Sequence, residues 1–600
     1  MPGAARAVRF LAVLLAAASI VGIPIWRAAA AEDEFAYEVE FAGADVDDLE
    51  SLLSDVSKTI SRQDTPPATR RILESRVRED VAAFEAVLRS EGYYQGTVKS
   101  EIGEGAPLLV TFTVEPGAPF LISEITIDVE PPADDAEPPT IDQSVLGLQP
   151  GDRARSADIV SATDRAVAVL GTQGFPFAKL ADRKVMVDHA TKEVFVTLGI
   201  GPGPPASFGE TAIEGLTGLD PDYVRNRLGW EQGEPYDVSK VDATRRTLSR
   251  AGLFSSIRIS HADTVNPDGS LPITIALAEG PPRSFGGGIS YSTDLGPGVK
   301  AFWEHRNLFG AAETLSVTGR FALSEQSLLT NFVKPDFPTP SERLLVEGEI
   351  KREDLDAYEA TTARIMPRIE HALSDHATIS VGGGFEQSEI TDIDGTEQYS
   401  LFSTPVLYVH DSSDDPLEPT TGGRTEIGFT PYVSAFGDEL NFFVTRIGDS
   451  VHWSPTGDGR IVLAARGALG SIFGAEVGEI PATKRLYAGG GGSVRGYAYQ
   501  SVGPLDARND PAGGRSLIEF NLEARFRIGE SFGIVPFVDA GNVYDSVFPE
   551  FDGDLLWGAG LGFRYYTPIG PVRLDIAFPL NRRHGVDDIL QFYATIGQAF

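Results

Sequence analysis

Side chains able to carry chemistry are poorly grouped in this 600-residue chain. Cysteine is absent, which excludes a disulfide framework, thiolate metal sites and thiol nucleophiles. The eight histidines (His189, His261, His305, His371, His376, His410, His452 and His584) are scattered. None forms H-E-x-x-H, the spacing that lets two imidazoles one helical turn apart share a zinc ion. A hydrolase nucleophile elbow needs G-x-S-x-G, and around Ser493 the place of its last glycine is taken by Arg495. No G-x-x-x-x-G-K-[ST] is present to cradle nucleotide phosphates. Lys+Arg 50 against Asp+Glu 86 gives a formal charge of -36, the wrong sign for a nucleic-acid surface. The sequence thus predicts no enzyme, cofactor, metal or nucleic-acid binder.

The elements are more informative than the reactive groups. Arg6 and Arg9 precede an apolar run from Phe10 to Ile23, broken by Pro24 and followed by the small residues Ala28 to Ala31. That run is shorter than the roughly 20 residues a spanning helix needs. Residues 1–31 are therefore expected to be a cleaved secretory signal, and the mature chain to be exported.

Beyond it, landmarks repeat. Leu88-x-x-x-Gly92, Leu170-x-x-x-Gly174 and Leu248-x-x-x-Gly252 recur at spacings of 82 and 78. Each glycine follows a helical apolar pattern, such as Val81, Phe84, Val87 and Leu88, and suits a left-handed helix stop. Gly117-x-Pro119, Gly203-x-Pro205 and Gly280-x-Pro282 close the three copies in step. Two landmarks in register across three copies predict three β-α-α-β-β units, at 35–118, 119–204 and 205–282. The Pro- and acid-rich stretch Pro131 to Pro139 reads as a loop within the second unit.

From Arg283 to Phe600 the helical period gives way to alternation. In Ser516 to Ile528, Ile518, Phe520, Leu522, Ala524 and Phe526 alternate with Glu519, Asn521, Glu523, Arg525 and Arg527. Strand geometry sends the two sets to opposite faces. Val572, Leu574, Ile576 and Phe578 alternate likewise with Arg573, Asp575 and Ala577. Glycines and charges collected on one face suit a wet lumen better than a dry sandwich core. At roughly 20 residues per strand and loop, 283–600 is predicted to be an all-β transmembrane barrel of about sixteen antiparallel strands. The fold class is thus α+β repeats followed by a barrel. The acidic excess divides almost evenly between the two parts, so charge marks neither as the binding end.

Three segments stand out in the barrel region: Trp303 to Gly310, Asp414-Asp415-Pro416-Leu417-Glu418-Pro419-Thr420, and Tyr487 to Tyr497. Val494-Arg495-Gly496-Tyr497 resembles the V-R-G-[FY] loop of the BamA/TamA superfamily of outer-membrane assembly factors. Phe537-Val538-Asp539-Ala540-Gly541 resembles its F-x-D-x-G strand. The three preceding units resemble POTRA domains, and that count is most similar to the TamA-type branch. The resemblance covers essentially the whole mature chain. It implies that the loop carrying Val494 to Tyr497 folds into the lumen and buries Arg495, which then needs acidic partners. Asp539 and Glu523 have the parity to bracket it, with Phe537 and Gly541 as supporting positions.

The resemblance also implies a location in the outer membrane, with the POTRA units in the periplasm. The implied role is insertion or translocation of barrel proteins such as autotransporters. A weak seam would serve it, between the first strand (Phe285 to Tyr291, with Ile289) and the last (Phe592 to Phe600, with Ile596). Implied partners are nascent barrel clients, outer-membrane lipids and a TamB-like protein anchored in the inner membrane. Envelope lipid transport with that partner is an equally physical version of the role. A BamA-type general insertase, a two-partner secretion transporter and, in another class, a passive porin-like channel are the alternatives.

Overall fold

The computed structural model describes residues 35–43, 47–132, 137–292, 296–436, 439–550, 554–567 and 571–596. The expected signal at 1–31 and the terminal Phe600 lie outside them, as does the side chain of Ile596. Two compact bodies divide the chain. One comprises 1–209, 232–239 and 263–271; the other comprises 210–231, 240–262 and 272–600.

In the first body, β1 (Tyr37–Ala42), β2 (Thr97–Ile102) and β3 (Leu108–Glu115) form a sheet in the order β1-β3-β2. Helices α1 (Asp47–Val56), α2 (Lys58–Ser61) and α3 (Arg70–Ser90) accompany it. Helix α3 buries Leu73, Val77, Phe84 and Leu88, one stripe at helical spacing. They meet Val110, Phe112 and Val114, the buried alternate residues of β3. The next sheet has the same pattern: β4 (Leu121–Val129), β5 (Lys179–Asp188) and β6 (Glu193–Gly201), in the order β4-β6-β5. Its long helix is α4 (Ser156–Thr172).

Here the structure departs from the expected two helices. The first is reduced to a single 3-10 turn at Gln143–Leu146. Pro138 and Pro139 before it, and Gly147 in the left-handed conformation after it, leave no room for another helical turn. The third sheet is β7 (Ser207–Glu214), β8 (Phe254–His261) and β9 (Ser270–Glu279), ordered β7-β9-β8 with helices α5 (Pro221–Arg225) and α6 (Val238–Arg250).

The remainder of the second body is one antiparallel sheet of eighteen strand segments. These are β10 (Arg283–Ser292), β11 (Gly296–Arg306), β12 (Thr314–Ala322), β13 (Glu325–Pro335), β14 (Glu342–Asp354) and β15 (Glu359–Ser374). Then follow β16 (Ala377–Gly382), β17 (Gly384–Asp392), β18 (Gly395–Ser403), β19 (Val406–Asp411), β20 (Gly422–Ser434) and β21 (Asn441–Trp453). The last six are β22 (Ile461–Phe473), β23 (Ser516–Ile528), β24 (Phe532–Tyr544), β25 (Leu556–Tyr565), β26 (Val572–Pro579) and β27 (Gln591–Ile596).

Two strands are each interrupted once. Strand β15 pairs with both β16 and β17 on its far side, and β20 pairs with both β18 and β19. Gly383 and the Thr404-Pro405 pair make the breaks. The eighteen segments therefore make sixteen passes. With each pass reversing direction, β20 starts at the same edge of the sheet as β10.

That edge also meets the third unit. Asp220 N–H donates to the Gly310 carbonyl at 2.7 Å, on the turn between β11 and β12. Arg227 holds both oxygens of Asp336, on the turn between β13 and β14, at 2.8 and 3.0 Å. Its guanidinium also lies 3.5 Å from the centre of the Tyr223 ring. A paired, stacked arginine is a stiff connection, since its fork is held along its edge by the carboxylate and on one face by the ring.

The two faces of the sheet differ in kind. Phe520, Leu522, Phe526, Leu561, Phe563, Leu574 and Ile576 are exposed on one. Glu519, Glu523, Asp539, Arg564, Arg573 and Asp575 are buried on the other. This inverts the arrangement of a water-soluble sheet.

Candidate functional site

The site is built where the long segment between β22 and β23 crosses the buried face of the sheet. Val494, Arg495, Gly496 and Tyr497 are all buried there. The Arg495 guanidinium donates from Nε to Asp539 Oδ2 at 2.6 Å and from Nη2 to Asp539 Oδ1 at 2.8 Å, a two-pronged pairing. Nη1 reaches Glu523 Oε1 at 2.7 Å and Asp575 Oδ2 at 3.2 Å. The Arg495 backbone N–H also donates to Asp539 Oδ2, at 3.1 Å. Phe537 lies under the guanidinium, with 3.5 Å between its ring centre and the central carbon. The structure thus brings Asp539, Glu523 and Phe537 together around Arg495.

Sequence reasoning missed the rest of the cluster. Asp575 also accepts from Arg564, and from Arg573 Nε at 2.6 Å. Arg573 reaches back to the loop, donating to the Gly491 carbonyl at 2.9 Å. Arg525 donates to Glu523 Oε2 at 3.0 Å and to the Pro419 carbonyl at 3.3 Å, inside the Asp414–Thr420 segment. The signal was present, because Asp575 and Arg573 share the charged parity of β26. Parity gives the face of a side chain and says nothing of its height along the strand. Four arginines and three carboxylates are held together away from water, so each charge needs its neighbours to offset the cost of leaving solvent.

Backbone fit completes the site. Gly496 has φ of +101°, a conformation side chains rarely adopt, and a Cβ there would lie 2.9 Å from the Phe578 backbone. At Gly558 a Cβ would run into the Arg495 carbonyl oxygen, so β25 must be bare where the loop passes. Gly541 does the same for Val494, whose Cγ2 would lie 2.8 Å from an added Cβ. Tyr593 on β27 clasps the loop: its hydroxyl donates to the Tyr497 carbonyl at 2.9 Å and accepts from Gly496 N–H at 3.1 Å. The Tyr497 hydroxyl donates to Asn581 Oδ1 at 2.9 Å.

The other expected positions are apart from this cluster. Ile289 is 86% exposed on β10, facing away from the buried charges. Ile596 ends β27, and its side chain and Phe600 fall outside the described residues. Among the described residues, no group of three His, Asp or Glu side chains could hold a metal ion.

The chain thus combines a large two-faced sheet, a buried salt-bridged loop and small units of helix and sheet in series. The comparisons with known proteins give the family. The Omp85 superfamily domain model matches residues 307–600, and a POTRA model, described as a surface antigen variable number repeat, matches 206–280. The chain is 24% identical over 549 residues to the outer membrane protein assembly factor BamA of Nitratidesulfovibrio vulgaris, covering 87% of this chain and 68% of that one. To BamA of Neisseria meningitidis it is 20% identical over 552 residues, covering 82% and 68%. Its fold is similar to the crystal structure of BamA from Haemophilus ducreyi lacking POTRA domains 1–3. That match has a TM-score of 0.63 at 18% identity and covers 80% of this chain and all of the other.

The chain belongs to the Omp85/BamA superfamily with POTRA domains. It is a non-catalytic outer-membrane protein of the protein-biogenesis class, and its POTRA units lie in the periplasm.

Proposed function

We propose that the sheet closes into a barrel, with β10 meeting β27, and that the chain works as a BamA-type insertase of other barrel proteins. Client strands, including those of autotransporters, are templated at this seam. The observation that carries the reading is the one-sided attachment of the Arg495–Tyr497 part of the loop; Lys484 and Arg485 earlier in the segment pair instead with Glu386 and Asp392 of β17. Every described bond of Arg495, Gly496 and Tyr497 to a strand goes to β23–β27. The last strand is thereby tied to a fixed cluster, while β10 carries three consecutive glycines, Gly286 to Gly288. Glycine weakens a strand, having no side chain to pack and more backbone freedom to lose. A firm edge beside a weak one is a seam that opens on one side. In lipid, an unpaired edge is costly until a client strand pairs with it.

Edge strands of the periplasmic units are the proposed contact for clients and for a TamB-like partner. In β5 the residues from Lys179 to Met186 are exposed on both faces, which suits addition of an extended segment.

The cysteine-free chain makes the test clean. Ile289→Cys with Ile596→Cys should crosslink under oxidation, and the locked protein should fail to assemble clients until reduced. Normal client assembly with the seam fully crosslinked would reject the mechanism.

A further inference from the structure

The exposed face of β20–β27 is largely apolar and carries one charge among the described residues. On β21 the outward residues Phe443, Ile447, Val451 and Trp453 are exposed, and Asp449 stands among them. Among the described residues it is the one charged side chain at an outward position on these strands. Thr425, its partner across the β20–β21 ladder, donates its hydroxyl to Asp449 Oδ1 at 2.5 Å. Oδ2 has no hydrogen bond or ion pair among the described residues. A carboxylate facing hydrocarbon with one oxygen unmet is costly unless a cation joins it.

Beside this carboxylate the face is hollowed. The ladder registers Asp449 with Gly467, Gly467 with Phe520, Phe520 with Ala540, and Ala540 with Trp557. The adjacent row runs Val451, Ala465, Leu522, Val538 and Ala559. Small side chains at Gly467, Ala465, Ala540 and Ala559 lower the floor between larger neighbours. Two adjoining hollows result, of about 440 and 530 Å³, sharing Val451, Ala465, Leu522 and Val538 as lining. From Asp449 to Trp557 the groove crosses four strand spacings of about 4.8 Å, or about 19 Å. One leaflet of a hydrocarbon core about 30 Å thick is about 15 Å deep, so a sloping groove of this length holds one acyl chain. Thr425 lies near the start of β20, at the edge of the sheet that meets the third POTRA unit, so the carboxylate sits toward the periplasmic leaflet.

We propose that this groove is a binding site for one phospholipid with a primary-ammonium headgroup. The ammonium donates to the free oxygen of Asp449 as a charge-assisted hydrogen bond, strengthened by the low dielectric. One acyl chain lies along Gly467, Ala465 and Ala540 toward Trp557. The site rests on the reading that this face of the sheet meets lipid.

The test uses the full chain in vesicles of equal phosphatidylethanolamine and phosphatidylglycerol, extracted mildly and weighed with its retained lipid by native mass spectrometry. The wild-type chain should retain one phosphatidylethanolamine in preference to phosphatidylglycerol. Asp449→Asn should abolish that preference, and Gly467→Leu should reduce retention of both lipids. Equal retention by the wild type, or an unchanged preference in Asp449→Asn, would overturn the site. That is also the result expected if Asp449 serves a cationic protein segment instead. A spin label on Leu463→Cys separates this failure from that of the underlying reading. Oxygen accessibility without a lipid preference rejects the site alone, whereas accessibility to a water-soluble relaxant rejects the lipid-facing reading as well.

Discussion

The two ends of the large sheet are built from opposite materials. At the carboxy-terminal end, β23–β26 face inward with Glu523, Asp539, Arg564, Arg573 and Asp575, all buried and bonded. At the amino-terminal end, β10 reads Ser284-Phe285-Gly286-Gly287-Gly288-Ile289, with Phe285 and Ile289 almost fully exposed. A Cβ on Gly288 would meet nothing within 4 Å. One end is held by charges that cannot separate cheaply, and the other makes few side-chain contacts of its own. A sheet of uniform stiffness has no preferred place to part; this one has its weakness assigned by composition to a single edge.

The sharpest way to break the contrast is Arg495→Ala, which strands Asp539, Glu523 and Asp575 without their shared cation. Removing one partner of a buried ion pair costs about 3–5 kcal/mol. The variant should lose its heat-modifiable gel migration at a lower temperature and assemble clients poorly; unchanged migration and full assembly would show that the loop does not hold this flank.

Tyr593→Phe is gentler. It leaves Gly496 N–H and the Tyr497 carbonyl without their common partner, a loss of about 1–3 kcal/mol. A lowered unfolding midpoint in urea, with the Arg495 cluster intact, is the expected outcome.

From the other side, Gly288→Ala stiffens the weak edge. It should raise stability by up to about 1 kcal/mol while slowing client assembly. Faster assembly would invert the comparison.

The smallest effect is in acid. Burial tends to raise the Asp414 pKa, but the Thr420 hydroxyl and the Thr420 and Thr421 N–H groups outweigh it and hold the carboxyl at about 2. Its stabilising contribution is complete above the ordinary aspartate range near pH 4 and is lost as pH falls toward 2. This turn carries the Pro419 carbonyl that Arg525 holds, so its loosening removes the lower tie of the firm flank. Urea midpoints of the wild type and Asp414→Asn should converge as pH falls from 5 to 2.

The alternation of the strands was legible from residue types, and the place of the loop from the resemblance of Val494 to Tyr497 to a family motif. The pairing of Arg495 with Glu523 and Asp539 followed from strand parity once the loop motif was placed. Asp575 and Arg564 were not, because alternation is blind to register. Which inward residues share a height is decided by ladder pairings such as Asn521 with Asp539. The Thr404-Pro405 break and the 3-10 turn at Gln143–Leu146 were also unforeseen. Both arise where proline or glycine overrides an otherwise regular pattern.

The Tyr593 clasp also sets an order in time. The loop that carries Arg495 is synthesised well before Asp575 and Tyr593, so its cation lacks Asp575 until β26 is made and its backbone lacks Tyr593 until β27 is made. A chain interrupted before residue 593 lacks the hydroxyl that closes the clasp on Gly496 and Tyr497. The loop is therefore fully tied only when every strand from β23 to β27 is present.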